Sequence, residues 1–360
     1  MLETSLFGIN LQSPFILGSG PLSYGAKGMI RAHKAGVGAV VTKTIRDVPA
    51  DNPFPHMAAA GRQSMVNAEK WSDYGGERWV ELEIPQAKQA GVVVIASIGH
   101  TETEVLHWVA KVDHAGADII ELVSYDEHTM LPMVRTARAL TKKPILVKLS
   151  PNWNNPVACG LEALGLGADG ITAMDSIGPV LRIDIRTGKP LVGGANGLGW
   201  LTGSAVKPIT LRYVAELAAL TDKPIIGLGG VMDAEDAVEM LMVGASAVGI
   251  CTAPLLKGIG YIGILCRKLG VLMQELGATE VTSLVGRALP YLSGPEVTQA
   301  FTFDYRRELC TDCMLCVHVC PYESRTLEGG MMGVEAETCR LCGICASVCP
   351  TKALSLQNCM

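Results

Sequence analysis

The chain has 360 residues, 30 basic against 35 acidic, and its formal net charge of −5 argues against a polyanion as partner. Hydrophobic residues make up 49% and charged residues 18%, which excludes wholesale disorder. The 5% aromatic share is too small for a base-stacking platform, so no nucleic-acid partner is expected.

The opening MLETSLFGIN lacks a basic start and a long apolar run. Neither a signal peptide nor a membrane span is therefore expected. The run PFILGSG at 14–20 predicts a first buried strand. A recurrent phrase follows: HKAGVGAVVT (33–42), KQAGVVVIAS (88–97), DHAGADIIEL (113–122), GLGADGITAM (165–174) and MVGASAVGIC (242–251). In each, a helical segment ends, a glycine follows and a buried strand begins. Gly36, Gly91, Gly116, Gly167 and Gly244 occupy the left-handed position that closes a helix. KPILVKL (143–149) and KPIIGLG (223–229) bring the strand candidates to eight. Eight parallel strands alternating with helices predict an α/β fold, a closed (β/α)8 TIM barrel over residues 1–290, in preference to an open doubly wound sheet.

Active sites of such barrels lie at the C-terminal strand ends. Here those ends carry Ser19-Gly20, Lys43-Thr44, Ser97, Lys148, Asp175-Ser176, Gly229-Gly230 and Cys251-Thr252. The glycine pair after strand seven and the segment after strand eight match a phosphate site, where backbone N–H groups meet an anion.

The pattern breaks near LPYLSGPEVTQAF, placing a linker at 291–301. Beyond it, residues 302–360 hold nine of the twelve cysteines. Cys310-x2-Cys313-x2-Cys316-x3-Cys320-Pro recurs as Cys339-x2-Cys342-x2-Cys345-x3-Cys349-Pro. This is the bacterial 2[4Fe-4S] ferredoxin spacing, in which the fourth cysteine of each run ligates the other cluster. One set is therefore Cys310, Cys313, Cys316 and Cys349, and the other is Cys339, Cys342, Cys345 and Cys320; Cys359 is left as a spare thiol. Two such clusters move single electrons, so two-electron chemistry in the barrel calls for a flavin as converter. Free thiols in a chain of this size indicate a reducing cytoplasm.

The chain resembles the flavin-plus-ferredoxin part of the dihydropyrimidine dehydrogenase family and, more distantly, the dihydroorotate dehydrogenases. The resemblance is carried by VVTKT (40–44), Asn67-x-Glu69-x-x-Ser72-Asp73, VKLSPN (147–152), GSAVKPITLR (203–212), GLGGV (227–231), GASAVGICTA (244–253) and the cysteine tail. It implies FMN held by Ser19, Gly20, Lys43 and Thr44, with Gly199, Gly203, Gly229, Gly230, Cys251 and Thr252 around the phosphate. It further implies that Lys148 stabilises negative charge on the reduced ring and that Asn67 binds substrate.

Two departures bear on the substrate. After strand four the family has Asn-x-Ser-Cys-Pro, with the cysteine as acid/base; here the stretch runs Glu121 to His128 with no cysteine. Tyr125, Asp126, Glu127 and His128 then become the acid/base candidates, with Asp126 nearest the missing cysteine by simple alignment. After strand six, Asp175-Ser176 replaces Asn-Thr, and an ionised Asp can only accept hydrogen bonds. The expected function is an oxidoreductase acting on a C=C or CH–CH group of a small, non-uracil substrate, relaying electrons through its clusters. Alternatives are an electron-transfer subunit of a larger complex, or a true dihydropyrimidine or dihydroorotate dehydrogenase. No room remains for a Rossmann domain of about 150 residues. Electrons are thus expected to pass to or from a ferredoxin or flavoprotein reductase, within a homo- or hetero-oligomer.

Overall fold

The structure, a computed structural model, describes residues 2–296 and 301–357. Part of the expected linker and Cys359 lie outside these residues. The chain divides into two compact units, Met1–Leu292 and Ser293–Met360.

The first unit is a closed parallel barrel of eight strands. These are β1 (Phe15–Leu17), β2 (Ala39–Val41), β3 (Val94–Ile98), β4 (Ile119–Val123), β5 (Ile145–Leu149), β6 (Gly170–Ala173), β7 (Ile225–Leu228) and β8 (Ala247–Ile250). Each pairs with its successor, and Val248 of β8 pairs with Phe15 of β1 to close the ring. All eight expected strands are present. The helices that cover them include α1 (Ala26–Ala35), α2 (Glu102–His114), α3 (Glu127–Leu140), α4 (Pro156–Gly165), α5 (Lys207–Ala218), α6 (Ala234–Met242) and α7 (Tyr261–Glu275). The five helix-closing glycines all have positive φ, from 81° at Gly91 to 116° at Gly36. A Cβ at such a position would be strained, which is why the phrase recurs with glycine.

The strands divide their side chains by the period of two. Ile120, Leu122, Val147 and Leu149 face outward into the helical layer. Ile95, Ile119, Leu146 and Ile226 fill the lower interior with Leu6 and Leu11. Those two leucines come from a hairpin, Thr4–Leu6 with Ile9–Leu11, that plugs the N-terminal end. One step further along the inward face, the alternation reaches Glu121 on β4 and Lys148 on β5, both buried. The interior thus turns from apolar to ionisable as it approaches the C-terminal mouth.

A four-stranded antiparallel sheet, not read from the sequence, is built from loop segments: Met57–Ala59, Ser64–Asn67, Ile177–Leu181 and Leu198–Gly203. Its strands are short and irregular, with a register shift between Ile177 and Val180, and they come in two pairs, one from the loop after β2 and one from the loop after β6. No local periodicity announces them.

The described residues of the second unit include one hairpin, one pairing between its two ends and two short helices. Thr302–Tyr305 pairs antiparallel with Leu354–Gln357, and Arg325–Glu328 with Met331–Val334. The helices are Leu315–His318 and Ile344–Ser347, one inside each cysteine run.

Candidate active site and cluster ligands

A cavity of about 790 Å³ opens at the C-terminal ends of the barrel strands. That is within the usual ~300–1,000 Å³ of small-molecule and cofactor sites. It is lined by Ser19, Gly20, Lys43, Thr44, Asn67, Tyr125, Lys148, Asp175, Ser176, Gly203, Gly229, Gly230, Cys251 and Thr252. Fourteen residues expected from the sequence are thereby brought together across some 230 positions of chain. Lining side chains also come from the added sheet and its neighbours, among them Met57, Trp71, Trp200 and Met174.

The glycine pair after β7 forms the close backbone wall. Gly229 and Gly230 have φ of 138° and 89°. A Cβ on Gly230 would lie 2.4–2.6 Å from Lys207, backbone atoms included. Opposite, a Cβ on Gly20 would lie 2.9 Å from Cys251 Sγ. Backbone groups therefore line this end without side chains in the way, as a phosphate cradle requires.

Beyond the cradle the cavity is charged. Lys43, at the end of β2, donates to Glu69 Oε1 at 2.6 Å and to the Lys70 carbonyl at 2.5 Å. The second Glu69 oxygen lies 3.0 Å from His56 Nε2. Lys148 Nζ lies 3.3 Å from Asp175 Oδ1. The ladder explains that meeting: the Asp175 N–H donates to the Leu149 carbonyl at 2.8 Å, extending β6 beside β5. Burial alone would lower the Lys148 affinity for its proton, but the Asp175 and Glu121 carboxylates outweigh it and hold the ammonium above its ordinary range. Glu121 accepts from Thr172 Oγ1 at 2.8 Å, and its other oxygen has no partner among the described residues. Burial pushes its carboxyl up, against the pull of Lys148. Burial likewise pushes the Cys251 thiol up to about 11, so it is a neutral thiol near pH 7.

Asn67 closes the Ser64–Asn67 strand and donates from Nδ2 to the Trp200 carbonyl at 3.2 Å, while Oδ1 accepts from the Glu69 N–H at 3.3 Å. Asn152 spans from β5 to the added sheet, donating to the Ser176 carbonyl at 3.2 Å and accepting from the Gly178 N–H at 3.0 Å.

Four of the expected catalytic and cofactor residues, Asp126, Glu127, His128 and Gly199, are not brought into this cavity's lining. Glu127 instead accepts from the Asn154 N–H at 3.1 Å. Asp126 is the N-cap of α3, where Oδ1 accepts from the His128 N–H at 3.0 Å. His128 is exposed in the first turn of that helix. Gly199 pairs with Val180 inside the added sheet, where a Cβ would meet the Asn67 carbonyl at 2.6 Å. Of the loop after β4, Val123 and Tyr125 line the cavity. The buried Ser124 hydroxyl accepts from the Asp126 N–H at 3.1 Å, and Tyr125, though largely exposed, lines the cavity at its rim. Among the lining residues the sequence reading missed, one is a histidine. His100, past the end of β3, lines the cavity with its ring stacked on Tyr125, centroids 4.2 Å apart. Its position three residues beyond Ser97, in a loop at the barrel mouth, was the available signal.

In the second unit, a small cavity of about 20 Å³ is lined by Cys310, Cys313, Cys316 and Cys349. The first three come from one run and the fourth from the other, as crossed ligation demands. Burial opposes ionisation of Cys320 and Cys349, but backbone N–H groups, at Tyr322 and Ser324 and at Leu354 and Thr351, outweigh it and hold both thiols below the usual range. Cys345 is buried among Ala346 and Leu354.

Comparison with known proteins bears on both units. Residues 1–273 match the family described as dihydroorotate dehydrogenase. Residues 304–326 and 332–355 each match the 4Fe-4S binding domain. A protein of Pyrococcus abyssi named dihydroorotate dehydrogenase B (NAD(+)), catalytic subunit, is 33% identical over 305 residues, covering 80% of this chain and 99% of the relative. Its namesake from Methanothermobacter thermautotrophicus is 32% identical over 305 residues, 80% of this chain and 98% of the relative. Another from Alkaliphilus metalliredigens is 30% identical over 279 residues, 73% and 91%.

Proposed function

The chain belongs to the dihydroorotate dehydrogenase family, and from that premise we propose that it is an FMN and iron–sulfur oxidoreductase. It exchanges hydrogen with a CH–CH or C=C group of a small substrate and passes the electrons through two [4Fe-4S] clusters. The observation that carries this reading is the single cavity that joins a glycine cradle to two buried lysines and continues to the added sheet.

Bound flavin supplies hydride exchange with the substrate and converts electron pairs into single electrons for the clusters. The chain's residues do the rest. Gly229, Gly230, Gly203 and the Thr252 hydroxyl hold the phosphate end, while Ser19, Gly20 and Thr44 wall the cofactor. Lys148 offsets negative charge gained on reduction, and Lys43 is held in place by Glu69. Asn67, Asp175 and Ser176 face the substrate. The cavity's extension to Met57, Trp71 and Trp200 leaves room for a substrate, which favours an enzyme over a subunit that only transfers electrons.

The substrate we propose is neither a dihydropyrimidine nor dihydroorotate. Val123 offers no polar atom, and Asp175 offers only acceptors beside Lys148. A ring amide presented to this pair would leave polar groups unpaired, at about 1–3 kcal/mol each. Asp175 suits a substrate that presents N–H or O–H donors to it and an apolar face to Val123. Electrons exchange with a ferredoxin or flavoprotein reductase. The name of the relatives, a catalytic subunit linked to NAD(+), supports a separate nicotinamide-binding partner in an oligomer, in a reducing cytoplasm.

The test is anaerobic purification followed by flavin, iron and half-reaction analysis. We expect about one FMN per chain and about eight iron and eight sulfide. Dihydroorotate and dihydrouracil should reduce the flavin slowly or not at all. Rapid reduction by dihydroorotate would replace the proposed substrate with that of the relatives.

A further inference from the structure

His100 is 8% exposed, lies at the cavity wall, and neither ring nitrogen has a hydrogen-bond partner among the described residues. A buried polar group without a partner is costly, so such groups are retained where a ligand or a proton completes them. Its surroundings fix the ring without satisfying it. Tyr125 stacks on one face, with planes 17° apart. The Trp71 ring approaches edge-on at 6.1 Å. The backbone N–H of His100 donates to Glu104 Oε2 at 2.6 Å, and the Ser124 hydroxyl donates to its carbonyl at 3.3 Å. Glu104 in turn holds Arg46 through two hydrogen bonds, at 2.8 and 3.1 Å. Arg46 lies over the Trp71 ring at 4.4 Å. Packing and the main chain thus position the imidazole, and both nitrogens stay free.

We propose that His100 is the proton carrier of this cavity: it takes up one proton when the flavin gains two electrons, and gives that proton to the substrate carbon next to the one receiving hydride. The inference rests on the flavin reading above. The charges balance. Two electrons and one proton convert the oxidised flavin into its reduced anion, and a second proton goes to the imidazole. Hydride then leaves to one carbon of a C=C bond and the imidazolium proton goes to its neighbour. The product is CH–CH, the flavin is oxidised again and His100 is neutral. The electrons come from the reduced clusters. In the reverse direction, neutral His100 removes the proton as hydride departs.

The charges facing His100 fit that cycle. Burial, aided by Arg46 and Lys148, pushes its pKa down to about 4 against the opposing pull of Glu104 and Asp175. The ring is therefore neutral when the cavity holds no added negative charge. A negative charge gained in the cavity on reduction would raise the proton affinity of the ring. The second proton should then appear above about pH 4, where the ring is otherwise neutral. Tyr125 shields the ring on one face, while Asp126 and His128 lie outside the cavity lining.

The experiment needs no substrate. Spectroelectrochemical titration of the flavin band in the holoprotein, from pH 5 to pH 8, yields the number of protons taken up per two electrons. We expect about two at pH 5 and one at pH 8 in the unmodified protein, and one throughout in His100→Gln. One proton at pH 5 in the unmodified protein would overturn the proposal whether or not His100→Gln folds. So would a second proton that survives in a folded His100→Gln, since the flavin itself would then be taking it. Folded protein that neither contains nor accepts FMN breaks the functional reading itself, an outcome visible before any titration.

Discussion

The cluster unit and the barrel mouth place ligands in opposite ways. In the former, Cys310, Cys313 and Cys316 come from seven consecutive residues and only Cys349 arrives from afar. In the latter, the lining runs from Ser19 to Leu255, with contributions from the strand ends and from a sheet assembled out of loops. Local spacing therefore encodes most of a cluster, whereas strand order encodes a cavity, and the identity of its occupant depends on a few side chains at strand ends. Changes in the tail should act all-or-none on one cofactor. Changes in the mouth should be graded.

The sharpest test of that difference is Cys313→Ala. Loss of a thiolate from a cubane set should remove one cluster, about four of eight iron, and leave flavin binding in the barrel unchanged. Electron exchange with an external acceptor should fall to background. Iron analysis, flavin content and stopped-flow reoxidation measure the three effects. Simultaneous loss of flavin would show that the two units are not separable in this sense.

Within the mouth, the largest graded effect should come from Lys148→Met. It removes a buried cation beside Asp175 and leaves the Asp175 and Glu121 carboxylates without their counter-charge. Loss of a preorganised electrostatic contact typically costs about 10²–10³ in rate. The flavin should also become harder to reduce. Redox titration and the reductive half-reaction are the readouts, and an unchanged potential would place Lys148 outside the flavin's field.

Asp175→Asn should act more gently and on selectivity. It restores a donor where the chain has only acceptors. The rate of flavin reduction by dihydroorotate should rise by about 10–100-fold, corresponding to about 1.4–2.7 kcal/mol. Anaerobic stopped-flow of the reductive half-reaction would show it. An unchanged rate would mean that Asp175 serves Lys148 alone.

These contrasts also explain what the sequence could reveal. The glycine that ends each helix and the apolar run behind it are local events, so Gly36 or Gly244 with its following strand was readable one unit at a time. Period-two alternation showed that Lys148 ends an inward face, but not that Asp175 would meet it, because that contact depends on where β6 stops. The added sheet was illegible for the same reason. The central pairing of Ser64–Asn67 with Leu198–Gly203, Trp200 against Asn67, joins segments more than 130 residues apart. His100 was hidden by the usual ambiguity of a lone histidine, whose burial and free nitrogens appear only once Tyr125 and Trp71 enclose it.

The smallest effect separates alignment from geometry. Counted along the chain, Asp126 stands where relatives of the resembled family carry their acid/base cysteine, and removal of an acid/base typically costs about 10²–10⁴ in rate. In the folded chain, its Oδ1 accepts from the His128 N–H, and the residue starts α3. An Asp N-cap replaced by Ala costs about 0.5–2 kcal/mol. For Asp126→Ala we therefore expect a melting temperature lower by a few degrees, with flavin content and half-reaction rates within about twofold of the unmodified protein. Asp126→Ser, which can still cap, should recover most of the stability, whereas an acid/base role would leave serine as inactive as alanine. A rate loss of a hundredfold in both variants would put Asp126 at the substrate. It would also show that the loop after β4 rearranges when the cavity is filled, in which case proximity by alignment would have been the better guide.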